Sequence, residues 1–268
     1  MPEKNIVILG GGQAAANAIK AIRSLDQSCQ VTLVSEETSL PYERPPLSKK
    51  CITGEKTLES CIFFDQEFYD NHNIELHLER KVELVDFHNH QLLIDKQAPI
   101  EFDQLLIVTG SKNRVLEIDG LAPEKINYLR TMAESQTIVD EAQTGNRVLI
   151  IGGGFIGMEL AASLRSLGKA VTVIEAGSQL MGRAIPCEIA GIVQEKHEQA
   201  GVTIHLDTTV TSVTNGEGSY RAELSNGDTV MFNLIIVGIG IKPNLDAFAD
   251  GDLRTDNGIV TDEYGRTS

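Results

Sequence analysis

Tryptophan is absent from this chain of 268 residues, and aromatic residues make up only 5% of it. Cysteine is scarce: Cys29, Cys51, Cys61 and Cys187 form neither a C-x-x-C pair nor a zinc-binding spacing. A disulfide-framed miniprotein is excluded, and free thiols in a reducing compartment are expected. No apolar run approaches the roughly 20 residues of a membrane span, and Ile6–Leu9 is too short for a signal-peptide core. These absences predict a soluble, cytoplasmic protein with no membrane partner. Positive charge is in deficit too, with Lys+Arg 23 against Asp+Glu 38 and a net charge of −15. No basic stripe or tail is present, so nucleic acid is not an expected partner. The histidines make no metal-ligand pattern, and His88-Asn89-His90 reads as a hairpin turn, so no metal is expected.

What is present is an ordinary globular composition, 41% apolar with 24 glycines, on a chain long enough for more than one core. Its strongest pattern occurs twice. Residues 5–36 and 147–175 each run from a β-branched apolar stretch through a glycine cluster and a helix-period segment to a second apolar stretch and an acid. This is a βαβ unit written twice, as separate lobes rather than solenoid repeats. Between the copies, Asn73–Leu78 and Gln91–Ile94 read as short strands. Leu105–Val108 reads as a buried parallel strand feeding a turn at Thr109-Gly110, residues 111–127 as linker and Met132–Gln143 as a helix. After the second copy, Pro186–Ala200 is helix-like with Gly201 as its stop, and Val202–Leu206 and Thr208–Thr214 are strands. Tyr220–Leu224 and Thr229–Phe232 flank the hairpin signal Ser225-Asn226-Gly227-Asp228. Leu234–Val237 is a buried strand before Gly238-Ile239-Gly240, and residues 241–268 are polar and turn-rich.

The glycine clusters carry chemistry. Gly10-Gly11-Gly12-Gln13-Ala14-Ala15 fits G-x-G-x-x-A on a strand-to-helix turn. Gly10 permits the turn, Gly12 lets a pyrophosphate approach the backbone, and Ala15 keeps helix and strand close. Glu36 follows at about the distance of a ribose-binding acid. The second cluster, Gly152-Gly153-Gly154-Phe155-Ile156-Gly157, has the full pattern, and Glu175 ends its second strand. Glu175 is expected to accept the ribose hydroxyls of an unmodified adenosine, and a 2′-phosphate there would meet a like charge, so NAD is expected over NADP. Two dinucleotide sites in one chain suggest hydride exchange between two dinucleotides, FAD in the first lobe and NADH in the second.

Just after Glu36 comes Pro41-Tyr42-Glu43-Arg44-Pro45-Pro46-Leu47-Ser48-Lys49. Its prolines make a stiff, extended loop. By chemistry alone, Arg44 could offset pyrophosphate charge and Lys49 is a mobile point charge, and a plain surface loop with solvated cations fits as well. The loop resembles the PY-x-RPPLSK signature of FAD-dependent, NADH-using ferredoxin reductases of bacterial aromatic-ring-hydroxylating dioxygenase systems. The similarity extends over essentially the whole chain: Leu105–Gly110, Tyr128-Leu129-Arg130, Gly152–Glu159, Val171–Glu175, Leu180–Arg183, Gly238–Asn244, Asn257–Val260 and Arg266–Ser268. The start of the chain and Met181-Gly182-Arg183-Ala184-Ile185-Pro186 look most like reductases of phenylpropionate-type systems.

The resemblance implies a glutathione-reductase-like α/β fold with two Rossmann-like lobes. The FAD lobe would span residues 1–115 and resume over 241–268, with the NAD lobe inserted at 116–240. It implies that Ala14 and Glu36 hold FAD, Val82 meets the adenine and Arg130 contacts FAD at the lobe crossover. Lys49 would sit near the reactive flavin nitrogen, paired with Glu159, as the catalytic residues. Arg44, Thr109, Gly110, Arg183, Gly238, Ile239 and Gly240 complete the implied cofactor-binding set. The stretch in which glutathione-reductase-like relatives carry a redox cysteine pair has none here, so electrons should leave the flavin directly, for a [2Fe–2S] ferredoxin that feeds the dioxygenase. Relatives continue past Ser268 into a Gly-Asp turn that binds FAD and a C-terminal interface domain, so a C-terminally truncated chain is expected. Two other readings stay open: a nucleotide-binding remnant without full activity, and a related reductase with rubredoxin or another acceptor.

Overall fold

The computed structural model describes residues 4–182, 184–216, 218–249 and 252–268. The chain opens with β1 (Asn5–Leu9), α1 (Gln13–Leu25) and β2 (Gln30–Val34), then a 3-10 turn over Pro45–Ser48. It continues with α2 (Lys50–Thr53), α3 (Gln66–Asn71), β3 (Ile74–His77), β4 (Val82–Asp86), β5 (Gln91–Ile94), β6 (Ile100–Glu101), β7 (Gln104–Ile107) and β8 (Ser111–Asn113). Next come α4 (Met132–Thr144), β9 (Arg147–Ile151), α5 (Phe155–Ser166), β10 (Ala170–Ile174), α6 (Cys187–Gln199) and β11 (Thr203–His205). The last strands are β12 (Val210–Gly216), β13 (Ser219–Leu224), β14 (Thr229–Phe232), β15 (Leu234–Val237) and β16 (Ile241–Pro243).

The chain divides into two compact units. One comprises Met1–Arg44, Cys61–Lys112 and Lys242–Ser268; the other comprises Pro45–Ser60 and Asn113–Ile241. The first unit has a parallel sheet in the order β3-β2-β1-β7 and an antiparallel sheet β4-β5-β6. The second repeats the plan with β11-β10-β9-β15 and β12-β13-β14. The duplication is thus deeper than the glycine motifs suggest. Each copy contains the βαβ, a third outer strand, a three-stranded antiparallel insert and a fourth parallel strand. Short strands β8 and β16 pair where the chain leaves and re-enters the first unit.

Burial follows strand position. In the first unit Ile8, Ile19, Val31, Leu33 and Tyr69 are fully buried around β1, β2 and α1. In the second, Leu149, Phe232 and Ala222 centre the core shared by the parallel sheet and its antiparallel insert. Each fully buried large side chain contributes about 1.5–3 kcal/mol of transfer free energy. The strand expected as buried over Leu105–Val108 is instead a half-buried edge strand, β7, because β1 is its partner on one side only. Residues 111–127, read as linker, contain β8 and a 3-10 turn at Pro123–Lys125. No helix among the described residues is long and apolar enough to cross a membrane.

Candidate functional site

Helix N-termini leave backbone N–H groups without intrahelical partners, and two of the six helices described here cover that end with a side chain. The Asp65 carboxylate caps α3, and Thr131 with Glu134 makes a capping box on α4. Helices α1 and α5 differ. Each begins at a glycine, Gly12 or Gly154, with no side-chain cap and no acid in its first turn. A Cβ at either glycine would meet nothing within 4 Å, so the backbone there is open to an approaching group. Two bare, positively polarised helix ends behind glycine turns suit the pyrophosphates of two dinucleotides.

The turns before these helices require glycine. Gly10 has φ +119° and Gly152 φ +109°, and a Cβ would strike the carbonyl oxygen of Val108 or Gly238 respectively. Their N–H groups donate to Val34 and Ile174, both at 2.8 Å, which fixes each turn to the second strand of its βαβ. Ala15 is fully buried against the sheet, whereas a Cβ at Gly157 would strike the Gly152 carbonyl oxygen. Gln13, Ala14, Phe155 and Ile156 form exposed first turns, with Phe155 54% exposed.

The two lobes differ at the acid. Glu175 follows β10 directly; its Oε2 accepts from Gly153 N at 2.6 Å and its Oε1 from Gly177 N at 2.7 Å. Each oxygen retains a lone pair for a ribose hydroxyl. In the first lobe the matching position is Ser35: Ser35 N donates to His77 O, as Glu175 N donates to His205 O. Glu36 therefore lies one residue further on and is exposed. The neighbouring acid, Glu37, carries a cluster that sequence reasoning missed. Its carboxylate accepts from Arg44 and from the Tyr42 hydroxyl, and the Arg44 guanidinium lies 5.1 Å from the Tyr42 ring centroid. Arg44 is thus braced by a carboxylate rather than solvated. No spacing rule links residues 37, 42 and 44 in a loop, so the sequence held no signal for it.

The sequence-predicted pair Lys49 and Glu159 does come together, with Lys49 Nζ 2.8 Å from Glu159 Oε2. Both lie in the second unit, because the Pro45–Ser60 segment packs there although it lies within the stretch 1–115 expected for the FAD lobe. Buried serines hold it: Ser135 Oγ on α4 donates to Leu47 O at 3.0 Å, and Ser163 Oγ on α5 to Ser48 O at 2.8 Å. Glu159 also accepts a hydrogen bond from the Ser48 hydroxyl.

The remaining expected residues are spread through both units. Val82 is buried at the start of β4. Thr109 Oγ1 donates to Asn244 O at 2.8 Å beside Gly110, which has φ +67°. Arg130 is half-buried, and its N–H donates to Glu134 Oε2 at 2.6 Å. Gly238 N donates to Ile151 O, Ile239 packs on the second core, and Gly240 has φ +109°. Arg183 lies outside the described residues. Cys29, Cys51 and Cys61 are buried and Cys187 is exposed.

Twin glycine turns, twin uncapped helices and one plan repeated in two parallel-sheet units define a two-dinucleotide oxidoreductase fold. The chain belongs to the pyridine nucleotide-disulphide oxidoreductase family, whose match spans residues 4–268. Membership implies FAD and NAD(H) as the two dinucleotides. The chain is 36% identical over 264 residues to rhodocoxin reductase of Rhodococcus erythropolis, covering 98% of this chain and 62% of that protein. It is 32% identical to the 3-phenylpropionate/cinnamic acid dioxygenase ferredoxin–NAD(+) reductase component of Photorhabdus laumondii, covering 100% of this chain and 68% of that protein. The ferredoxin reductase for the CYP199A2 system from Rhodopseudomonas palustris superposes with a TM-score of 0.93 at 30% identity, over 99% of this chain and 66% of that one. The chain thus spans about two thirds of the length of these relatives.

Proposed function

We propose that the protein is a flavoprotein reductase that passes electrons from NADH through FAD to a [2Fe–2S] ferredoxin feeding an aromatic-ring dioxygenase. The observation that carries this reading is the Lys49–Glu159 ion pair in a chain with two uncapped glycine-turn helices. Bound FAD supplies the conversion from hydride transfer to single-electron transfer. The chain's own residues bind and orient. The first-turn N–H groups of α1 hold the FAD pyrophosphate and those of α5 the NADH pyrophosphate. Glu36, Arg44, Val82, Thr109, Gly110 and Arg130 complete the FAD side, and Glu175 selects NADH by opposing a 2′-phosphate. Lys49, held by Glu159, offers a positive charge where negative charge develops during reduction. By this reading the FAD lobe is residues 1–115 with 241–268, and the NAD lobe is 116–240. The name of the Photorhabdus laumondii relative, a dioxygenase ferredoxin–NAD(+) reductase component, supports the acceptor class. Cysteines of which three are buried and none stands in a C-x-x-C pair suit a cytoplasmic location.

Anaerobic NADH added to the FAD-loaded protein is expected to bleach the flavin's visible absorbance, and a [2Fe–2S] ferredoxin to restore it. NADPH should act far more slowly. Absence of bleaching rejects the reductase reading, and reoxidation by rubredoxin but not ferredoxin moves the acceptor.

A further inference from the structure

We propose that Ser48 is the positioning residue of the Lys49–Glu159 pair: its hydroxyl fixes the carboxylate oxygen that meets the Lys49 ammonium. The proposal deepens the reductase reading and rests on it for its catalytic consequence. Lys49 is 47% and Glu159 28% exposed in their side chains. An ion pair between flexible side chains at that exposure is weak and does not hold a geometry by itself. Ser48 is different in kind. It is 2% exposed, has one side-chain torsion, and ends a turn stiffened by Pro45 and Pro46.

The Ser48 hydroxyl donates to Glu159 Oε2, the same oxygen that lies 2.8 Å from Lys49 Nζ. Lys49 Nζ also donates to Pro45 O at 3.3 Å, on the first residue of that turn. The carboxylate is therefore fixed at its tip by a rigid donor, and the ammonium settles between two fixed oxygens. The hydroxyl is not needed to hold the turn. Lys49 N–H donates to Pro46 O at 3.0 Å, while Ser135 and Ser163 anchor the carbonyls of Leu47 and Ser48. The backbone of Ser48 thus serves the turn, and its side chain serves the pair.

Competitive acylation of the full chain with acetic anhydride, read peptide by peptide across pH, separates these roles. The exposed neighbour Lys50 serves as the internal reference. Ser48→Ala should raise Lys49 labelling relative to Lys50 about fivefold, the loss of one hydrogen bond. Ser163→Ala, which removes only the backbone anchor, should leave the ratio at the wild-type value. A wild-type ratio in Ser48→Ala, or the same rise in Ser163→Ala, overturns the proposal. In FAD-loaded protein, Ser48→Ala should slow bleaching by NADH with the KM for NADH unchanged, and an unchanged rate also overturns it. If wild-type protein fails to bleach, the reductase reading falls, and the labelling ratio still decides the role of Ser48.

Discussion

At the scale of single residues, one methyl group separates the two glycine turns. Ala15 carries its Cβ into the first core, whereas a Cβ at Gly157 would strike the Gly152 carbonyl oxygen. Gly157→Ala is expected to destabilise the protein by about 1–3 kcal/mol through overpacking, read as a lower urea midpoint. Tyr69 makes a second residue-level prediction. It is fully buried, its hydroxyl has no protein partner among the described residues, and burial pushes its pKa up to about 12. The fold therefore holds the neutral phenol. Its contribution is complete below the ordinary tyrosine range near pH 10 and is lost as pH rises through about 12. Chemical denaturation should show Tyr69→Phe close to wild type at pH 7. Between pH 10 and 12 the variant should escape a loss of about 2–3 kcal/mol.

At the scale of elements, α3 and α4 carry side-chain caps, whereas α1 and α5 start bare at their glycine turns. Thr131 Oγ1 accepts from Glu134 N at 3.2 Å, and Glu134 Oε2 accepts from Thr131 N at 2.8 Å. Thr131→Ala is expected to cost about 1 kcal/mol of unfolding free energy. A cap of this kind on α1 or α5 would occupy the N–H groups that a pyrophosphate needs. Elements with strong local pattern could be read from the sequence: β5, β14 and β15 fall on their expected residues, and α4 and α6 within one residue at each end. Elements that answer to tertiary packing could not. Helix α3 has six residues, too few for a period to show, and its cap at Asp65 is its main local signal. The register offset that gives Ser35, not Glu36, the place in its own unit that Glu175 has in the other is set by pairing with β3. Lys49 and Glu159 were found through a family likeness, and the Ser48 contact spans 111 positions along the chain, beyond any spacing rule.

For the whole molecule, dinucleotide binding should appear as stability. With NAD at about 100 times its Kd, the unfolding free energy should rise by about 2.7 kcal/mol. Calorimetry should find that rise reduced for Glu175→Ala at the same NAD concentration, and NADP should give little rise in the wild type. The large acidic excess, net −15, is carried by the chain as a whole and does not mark a docking face. The excursion of Pro45–Ser60 has a further consequence. The chain passes between the two units after Arg44, after Ser60, after Lys112 and after Ile241. No single peptide bond can be cut to release either unit intact. Residues 113–241 expressed alone would lack the segment whose carbonyls Ser135 and Ser163 hold, leaving two buried hydroxyls without their acceptors. Gene fusions or domain transplants with relatives must therefore exchange residues 45–60 together with the second unit, as two non-contiguous pieces inherited as one.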